Sequence, residues 1–247
     1  MAFSFSPKVV TDGLVLYYDA ANSISYPGSG TTWNDLSRGN NNGTLVNGPT
    51  FNSGNGGSIV FDGTDDYSTL GQNSGFNMAS TNVSMLFWIN GNYSNYYLGV
   101  FERTTVTGAG LDIPIPSNGW VQVGYINSGS TNYFVINGVR YLQNTSGTYS
   151  YDYPLFRPIY SAADTLFGGP SSPNFAFSLQ SFSGGYSLGS YVWSDKNNRL
   201  LGRGQSGVGS NSKFYNGNIS NVQIYNRTLS AQEVLQNYNA TKARYGL

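Results

Sequence analysis

The sequence predicts an all-β protein, a two-sheet antiparallel sandwich that ends in a short C-terminal helix. Short runs of β-branched and aromatic residues recur along the chain, and Asn-Gly or Asp-Gly dipeptides stand between many of them. One stretch near the C-terminus has a helical pattern instead. No linker and no internal repeat divides the chain, so we expect one domain over residues 1–247.

The predicted strands are short, and turn residues separate them. In the predicted strand Val83–Ile89 the residues of both faces are apolar at its centre, which is typical of an inner strand. We therefore expect Trp88 in the core. Asn137-Gly138 lies directly between two apolar arms and predicts a tight hairpin over Tyr133–Leu142. The predicted strands are Gly13–Asp19, Ser58–Phe61, Val83–Ile89, Tyr97–Phe101, Trp120–Ile126, Tyr133–Ile136, Tyr186–Trp193 and Ile219–Tyr225.

The helix is predicted over Leu229–Tyr238. The Ser230 side chain can cap the first turn, and the Glu233 side chain, three residues later, can accept a hydrogen bond from the Ser230 N–H. Together they make a capping box. Leu235 and Tyr238 are expected on one face of this helix. The segment 144–185 is rich in Pro, Gly, Ser and Tyr, so we expect a loop-rich insertion there.

Charge and composition exclude several function classes. Twelve basic and twelve acidic residues give a net charge of zero, which argues against a nucleic-acid partner. The chain has no cysteine and no histidine, so disulfides, thiolate metal sites and the commonest general base are excluded. No apolar run of about 18 residues and no signal-like N-terminus occurs, so we expect cytoplasmic synthesis without a cleaved signal and no membrane insertion.

Four blocks of sequence together carry a resemblance to a known family. They are GLVLYYDA (13–20), WNDLSRGNNNGTLVNGPTF (33–51), SIVFDGTDDY (58–67) and FYNGNISNVQIYNRTLSAQEVLQNY (214–238). They are similar to the LamG-like, concanavalin A-like lectin and glucanase jelly rolls, and the similarity fades between Gln143 and Gly185. The resemblance implies a jelly-roll sandwich with a closing helix, of the kind carried by tailed-bacteriophage virions and environmental bacteria.

This resemblance leads us to expect a noncatalytic structural or adhesive virion protein, a component of a tail, fibre or capsid surface. Its expected partners are other virion proteins or a cell-surface glycan, and we expect it to form a homo-oligomer. A carbohydrate-binding module at a bacterial surface is the alternative. A glycoside hydrolase that uses aspartates is a more distant one, because the E-x-D-x-x-E motif of the glucanases is absent and the only glutamates are Glu102 and Glu233.

Three acids form the densest acidic cluster of the sequence: Asp62, Asp65 and Asp66. They could ligate a structural Ca²⁺, which takes 6–8 oxygen ligands. The alternative is that Asp62-Gly63 makes a turn, Asp66 accepts backbone hydrogen bonds and Tyr67 begins the next strand. No other cofactor is expected.

Tyrosines near loop signals are the candidate contact residues. A flat ring with a polar tip can stack on a sugar or anchor a protein interface, and the sequence does not decide between these uses. The candidates are Tyr93, Tyr96, Tyr97, Tyr151, Tyr153 and Tyr160.

Overall fold

The computed structural model describes residues 7–70, 82–91, 96–102, 108–114, 116, 119–128, 131–142, 145–147, 149–157, 175–182, 200–201, 203–205 and 212–247. Between 96 and 114 and between 145 and 214 it describes the backbone alone. In these ranges the chain forms two antiparallel sheets and one α-helix near the C-terminus, so the predicted fold class is confirmed. No helix in them is long and apolar enough to cross a membrane.

The described ranges contain nineteen strands. They are β1 (Leu14–Asp19), β2 (Thr32–Trp33), β3 (Gly43–Val46), β4 (Thr50–Asn52), β5 (Ser58–Asp62), β6 (Tyr67–Thr69), β7 (Asn82–Asn90), β8 (Tyr96–Glu102), β9 (Gly108–Pro114) and β10 (Trp120–Ser128). The others are β11 (Asn132–Ile136), β12 (Val139–Leu142), β13 (Thr145–Gly147), β14 (Tyr149–Arg157), β15 (Phe175–Phe182), β16 (Leu200–Leu201), β17 (Arg203–Gln205), β18 (Ser212–Phe214) and β19 (Asn216–Tyr225).

Two large sheets contain almost all of these strands. Sheet A has the order β12-β11-β10-β7-β19-β5-β4, and β1 also pairs with β19. Sheet B has the order β13-β9-β8-β15-β14-β16-β6-β3-β2. Strands β17 and β18 form a separate ribbon. Neighbours in the sheets are often distant in sequence, as the crossovers of a sandwich require.

Both faces of sheet A are buried at its centre. On the inner face, Met85 and Phe87 of β7 belong to the main core, which includes residues of sheet B. On the outer face, Leu86 packs in a second cluster with Val234 of the C-terminal helix. Trp88 is fully buried, which confirms its predicted place in the core. The apolar character of both alternating sets in β7 follows from this double coverage.

The hairpin of β11 and β12 forms as predicted. Its antiparallel register pairs Tyr133 with Leu142 and Ile136 with Val139. Asn137 and Gly138 make the turn with φ angles of 46° and 80°. Such left-handed backbone is tolerated by glycine and asparagine, which explains why this dipeptide marks the hairpin in the sequence.

The C-terminal helix α1 (Ala231–Thr241) also confirms its predicted cap. The Ser230 hydroxyl accepts a hydrogen bond from the Glu233 N–H, and the Glu233 carboxylate accepts one from the Ser230 N–H. The helix packs on sheet A through Val234, Asn237 and Thr241, which are buried, whereas Leu235 is 46% exposed. A 3-10 turn at Lys242–Tyr245 follows.

The described residues of segment 144–185 are strand. The loop-rich insertion expected there stays a prediction, because residues 158–174 and 183–185 lie outside the described residues. Strands β13, β14 and β15 all join sheet B. The pairing of β14 with β15 shifts register twice, on either side of Tyr153 and Pro154. Bulges let a strand include a proline, which cannot donate to the ladder. The predicted strand Tyr186–Trp193 lies outside the described residues.

Candidate functional site

The acidic cluster lies in the turn between β5 and β6. One carboxylate oxygen of each of Asp62, Asp65 and Asp66 lies within 4.8 Å of the others. Asp62 Oδ1 accepts hydrogen bonds from the backbone N–H of Thr64 over 2.7 Å and of Asp65 over 3.3 Å. Gly63 takes a φ of 77°, as the expected Asp-Gly turn requires.

The pKa values of Asp62 and Asp66 are shifted in opposite directions. The turn N–H groups lower the pKa of Asp62 because they stabilise its charged form. Burial raises the pKa of Asp66, and the charges of Asp62 and Asp65 add to this. Asp66 Oδ2 accepts the Asp62 N–H over 3.1 Å. The arrangement thus has the features of the turn alternative, and a Ca²⁺ ion would need further oxygen ligands beyond the three carboxylates.

Sheet B brings two of the six candidate tyrosines into one row. Strand β15 lies between β8 and β14, and Gln180 of β15 pairs with Tyr97 on one side and Tyr151 on the other. Residues paired directly across antiparallel strands share one face of the sheet. We call Tyr97, Gln180 and Tyr151 the tyrosine row. Tyr93 and Tyr160 lie outside the described residues.

The other two described tyrosines occupy the opposite face. Tyr96 pairs with Ser181, and Tyr153 pairs with Leu179, each one position from Gln180 along β15. Because strand residues alternate between faces, neither shares a face with the tyrosine row. The structure therefore separates a set of tyrosines that the sequence presented as one cluster.

Next to the tyrosine row, residue types differ between the two faces of these strands. On the face of the tyrosine row, the next row holds the small residues Gly99, Ser178 and Pro154, and Gly99 also pairs with Gly110 of β9. We call these four positions the small-residue row. On the other face one row holds Leu98, Leu179 and Tyr153, and the next holds Val100, Phe177 and Phe156. Further along the strands the face of the tyrosine row also carries Phe101 and Phe182, so the difference between the faces is confined to these central rows.

Sequence reasoning missed Gln180, which joins the two tyrosines. A signal was available, since Phe177-Ser178-Leu179-Gln180 alternates apolar and polar residues as a half-buried strand does. The prolines and glycines on either side of this stretch led to the loop interpretation. The pairing of Gln180 with two distant strands could not be read from the sequence.

Comparison with known proteins supports the fold. No protein-family model and no curated protein matches the sequence. Among solved structures, the chain resembles Trypanosoma rangeli sialidase with a TM-score of 0.51 at 14% identity, over 96% of this chain and 34% of that one. It also resembles domain 4 of AbnA, a GH43 extracellular arabinanase from Geobacillus stearothermophilus in complex with arabinotriose, with a TM-score of 0.50 at 16% identity.

The two similarities differ in extent. This chain spans about a third of the sialidase, whereas the alignment with the arabinanase domain covers 93% of this chain and 100% of that domain. At these identities the likeness is one of fold, and the two-sheet sandwich is compatible with a concanavalin A-like fold.

The expectation of a noncatalytic structural or adhesive virion protein is corrected by this comparison. The two structures named above are a sialidase and a domain of an arabinanase, which point toward carbohydrate-active proteins. The bacteriophage setting rested on sequence resemblance alone and gains no support from them. The sandwich is common to many functions, so its presence did not favour the virion interpretation.

Proposed function

We propose that this chain is a carbohydrate-binding domain that holds a neutral glycan on the face of sheet B carrying the tyrosine row. The observation that carries the proposal is the register that places Tyr97 and Tyr151 on either side of Gln180. It combines the residue types that sugar recognition uses, aromatic rings and an amide, at adjacent positions of one face.

The spacing of the row suits a chain of sugar rings. Tyr97 and Tyr151 are two strand spacings apart, about 10 Å between Cα atoms. An aromatic ring offers a flat apolar surface to the C–H face of a sugar, and its hydroxyl remains available at the edge. The Gln180 amide can both donate to and accept from sugar hydroxyls.

The small-residue row gives the glycan room beside the tyrosines. Gly110, Gly99, Ser178 and Pro154 follow the tyrosine row along the strands, about 7 Å away. Because the residues of this row are small, a sugar that stacks on a ring can extend across neighbouring strands. Neither row contains a formally charged residue, which favours a neutral ligand over a charged one.

The comparisons add independent support. The arabinanase domain that aligns over its whole length carries arabinotriose in its structure, so a domain of this size and fold can hold a neutral oligosaccharide. Membership of the LamG-like family, which the sequence resembles, is proposed together with this function. We also propose that the chain binds its glycan without hydrolysing it.

Titration calorimetry of the chain with arabinotriose and a panel of other neutral oligosaccharides tests the proposal. Tyr97→Leu and Tyr151→Leu should weaken binding about fivefold or more each, since a stacked ring contributes about 1 kcal/mol. The matched controls are Tyr96→Leu and Tyr153→Leu, which make the same change on the opposite face. Circular dichroism confirms that each variant is folded.

The outcomes separate the proposal from its rivals. Binding that is lost in the row variants and retained in folded controls supports it. Absence of binding across the panel, or equal loss in row and control variants, overturns it. Release of shorter sugars from the same mixtures would contradict binding without hydrolysis.

A further inference from the structure

A cleft lies beside the start of β1, and its lining contains no residue of the tyrosine row. Its volume is about 650 Å³, which is within the range of about 300–1,000 Å³ usual for small-molecule sites. One wall is the turn Thr11–Leu14 and the other is the loop Leu36–Arg38. The half-buried Leu14 and Leu36 supply the apolar part of the lining.

The first wall is held in place by the two residues that follow β19, Asn226 and Arg227. The Leu14 N–H donates to the Thr11 carbonyl over 3.2 Å and closes the turn. Arg227 Nε, which follows β19, donates to the Asp12 carbonyl over 3.0 Å and lies 2.9 Å from Asp12 Oδ2. The Asn226 N–H donates to the Gly13 carbonyl over 2.9 Å. This wall is therefore fixed before any ligand arrives.

The second wall is built around the carboxylate of Asp35. Its Oδ1 accepts the N–H groups of Tyr17 and Ser37, each over 2.8 Å. Its Oδ2 accepts the Ser37 hydroxyl over 2.7 Å and the Asn41 N–H over 2.9 Å. The Leu36 N–H also donates to the Tyr17 carbonyl over 2.8 Å and ties the loop to β1. A preformed wall lowers the entropic cost of binding.

One charge at the cleft, that of Arg38, has no partner among the residues that the structure describes. Arg227 binds both oxygens of Glu233, over 3.0 Å and 2.6 Å, and also pairs with Asp12. The exposed guanidinium of Arg38, by contrast, has no ion pair or hydrogen bond within the part of the chain that the structure describes. An Arg guanidinium matches a carboxylate with two parallel hydrogen bonds, so this cation favours an anionic group.

Hydrogen-bonding groups on the opposite wall favour a hydroxylated ligand. The Asp12 side chain is 86% exposed and interacts with Arg227 through Oδ2, which leaves Oδ1 able to accept from a ligand hydroxyl. Thr11 lines the same wall, and a threonine hydroxyl can donate and accept hydrogen bonds. A ligand that spans the cleft would thus present a carboxylate to Arg38 and hydroxyls to the turn.

We infer that this cleft is a second binding site, separate from the tyrosine row, which takes a carboxylated sugar of the uronic acid class. Arg38 holds the carboxylate, and the Thr11–Leu14 turn receives the hydroxyls. Leu14 and Leu36 contact the C–H face of the ring. The site does not depend on the glycan binding proposed for sheet B, because the two use different elements.

Titration of the chain with trigalacturonate at low ionic strength tests this inference. The fully methyl-esterified trisaccharide is the matched neutral ligand, since it has the same sugars without the charges. Arg38→Gln should weaken trigalacturonate binding about tenfold or more, as expected for the loss of charge-assisted hydrogen bonds. Arg38→Lys should recover part of the affinity, because it restores the charge without the planar fork.

Two controls make the result specific. Lys8→Gln removes the same charge from a residue outside the cleft and should leave the affinity unchanged. Tyr97→Leu should also leave it unchanged, which separates this site from the tyrosine row. The inference is overturned if trigalacturonate does not bind, if its methyl ester binds the Tyr97→Leu variant as well as trigalacturonate does, or if Lys8→Gln weakens binding as much as Arg38→Gln. If trigalacturonate does not bind while neutral oligosaccharides still do, the inference about this cleft is wrong and the proposed function is unaffected.

Discussion

Arg244 holds Asp19 by two hydrogen bonds, from Nη1 to Oδ1 over 2.6 Å and from Nη2 to Oδ2 over 3.0 Å. The Asp19 side chain, at the end of β1, is only 5% exposed. The pair ties the last residues of the chain to sheet A. It also raises the pKa of Arg244 despite the cost of partial burial, since Asp19 favours the charged form.

Arg244→Ala should therefore destabilise the fold strongly. It leaves the Asp19 carboxylate buried without its counter-ion, which should cost about 3 kcal/mol in the free energy of unfolding. Urea denaturation measures the loss, and Arg38→Ala is the control because that guanidinium has no partner among the described residues. A loss in Arg244→Ala no larger than in Arg38→Ala would show that the pair contributes nothing.

Acid should weaken the attachment of α1 through Glu233. The Arg227 hydrogen bonds lower the pKa of Glu233 from 4.5 to about 2. A carboxylate with a lowered folded-state pKa stabilises the fold fully above its unfolded value, and this contribution disappears as the pH falls through the folded value. We expect the wild-type protein to lose about 2 kcal/mol from this group between neutral pH and about pH 2, allowing for its partial exposure.

Glu233→Gln isolates that contribution. Glutamine keeps the capping-box geometry but not the charge. The difference in unfolding free energy between wild type and variant should be largest at neutral pH and should vanish near pH 2. A difference that is independent of pH would contradict the assigned ion pair.

A side chain at Gly138, in the hairpin turn, should destabilise the fold more than a side chain at a comparable glycine elsewhere. A Cβ at Gly138 would lie 2.8 Å from the Tyr238 Cβ, and the residue has a φ of 80°. Gly119 has a φ of 84° but no atom of the described residues within 4 Å of the same position. We expect Gly119→Ala to cost about 1 kcal/mol and Gly138→Ala about 1–3 kcal/mol more. Equal losses in thermal unfolding would argue against close packing of α1 on the hairpin.

The acidic turn should depend on the Asp62 side chain as a hydrogen-bond acceptor. Asp62→Ala removes the acceptor of two backbone N–H groups and should cost about 1 kcal/mol, whereas Asp62→Asn keeps an oxygen at this position. Thermal unfolding with added Ca²⁺ tests the predicted metal site on the same variants. A calcium-dependent rise in melting temperature that both variants lose would support that prediction, and its absence in the wild type would contradict it.

The elements predicted from sequence were those with local signals. The hairpin at Asn137-Gly138 and the cap at Ser230 depend on turn and capping chemistry within a few residues. Trp88 was placed in the core because both alternating sets of its strand are apolar. These predictions needed no knowledge of how distant strands pair.

The candidate sites depend on pairing that is not local. Tyr97 and Tyr151 share one row only because each pairs with Gln180 in sheet B, and the pairing of β14 with β15 shifts register around Pro154. The cleft beside β1 could not be predicted from the sequence for the same reason, because Arg227 fixes a turn that is distant from it in the chain. Register and long-range ion pairs arise from the assembled core, so the sequence pattern could not reveal them.

The central claim is that a neutral glycan binds across β8, β15 and β14. The most direct test is a titration of the isotope-labelled chain with the tightest neutral oligosaccharide of the panel, followed by backbone amide chemical shifts. We predict that the largest shifts occur at and beside Tyr97, Gln180 and Tyr151. Shifts confined to the Thr11–Leu14 turn, or spread over sheet A with none at the tyrosine row, would contradict the account.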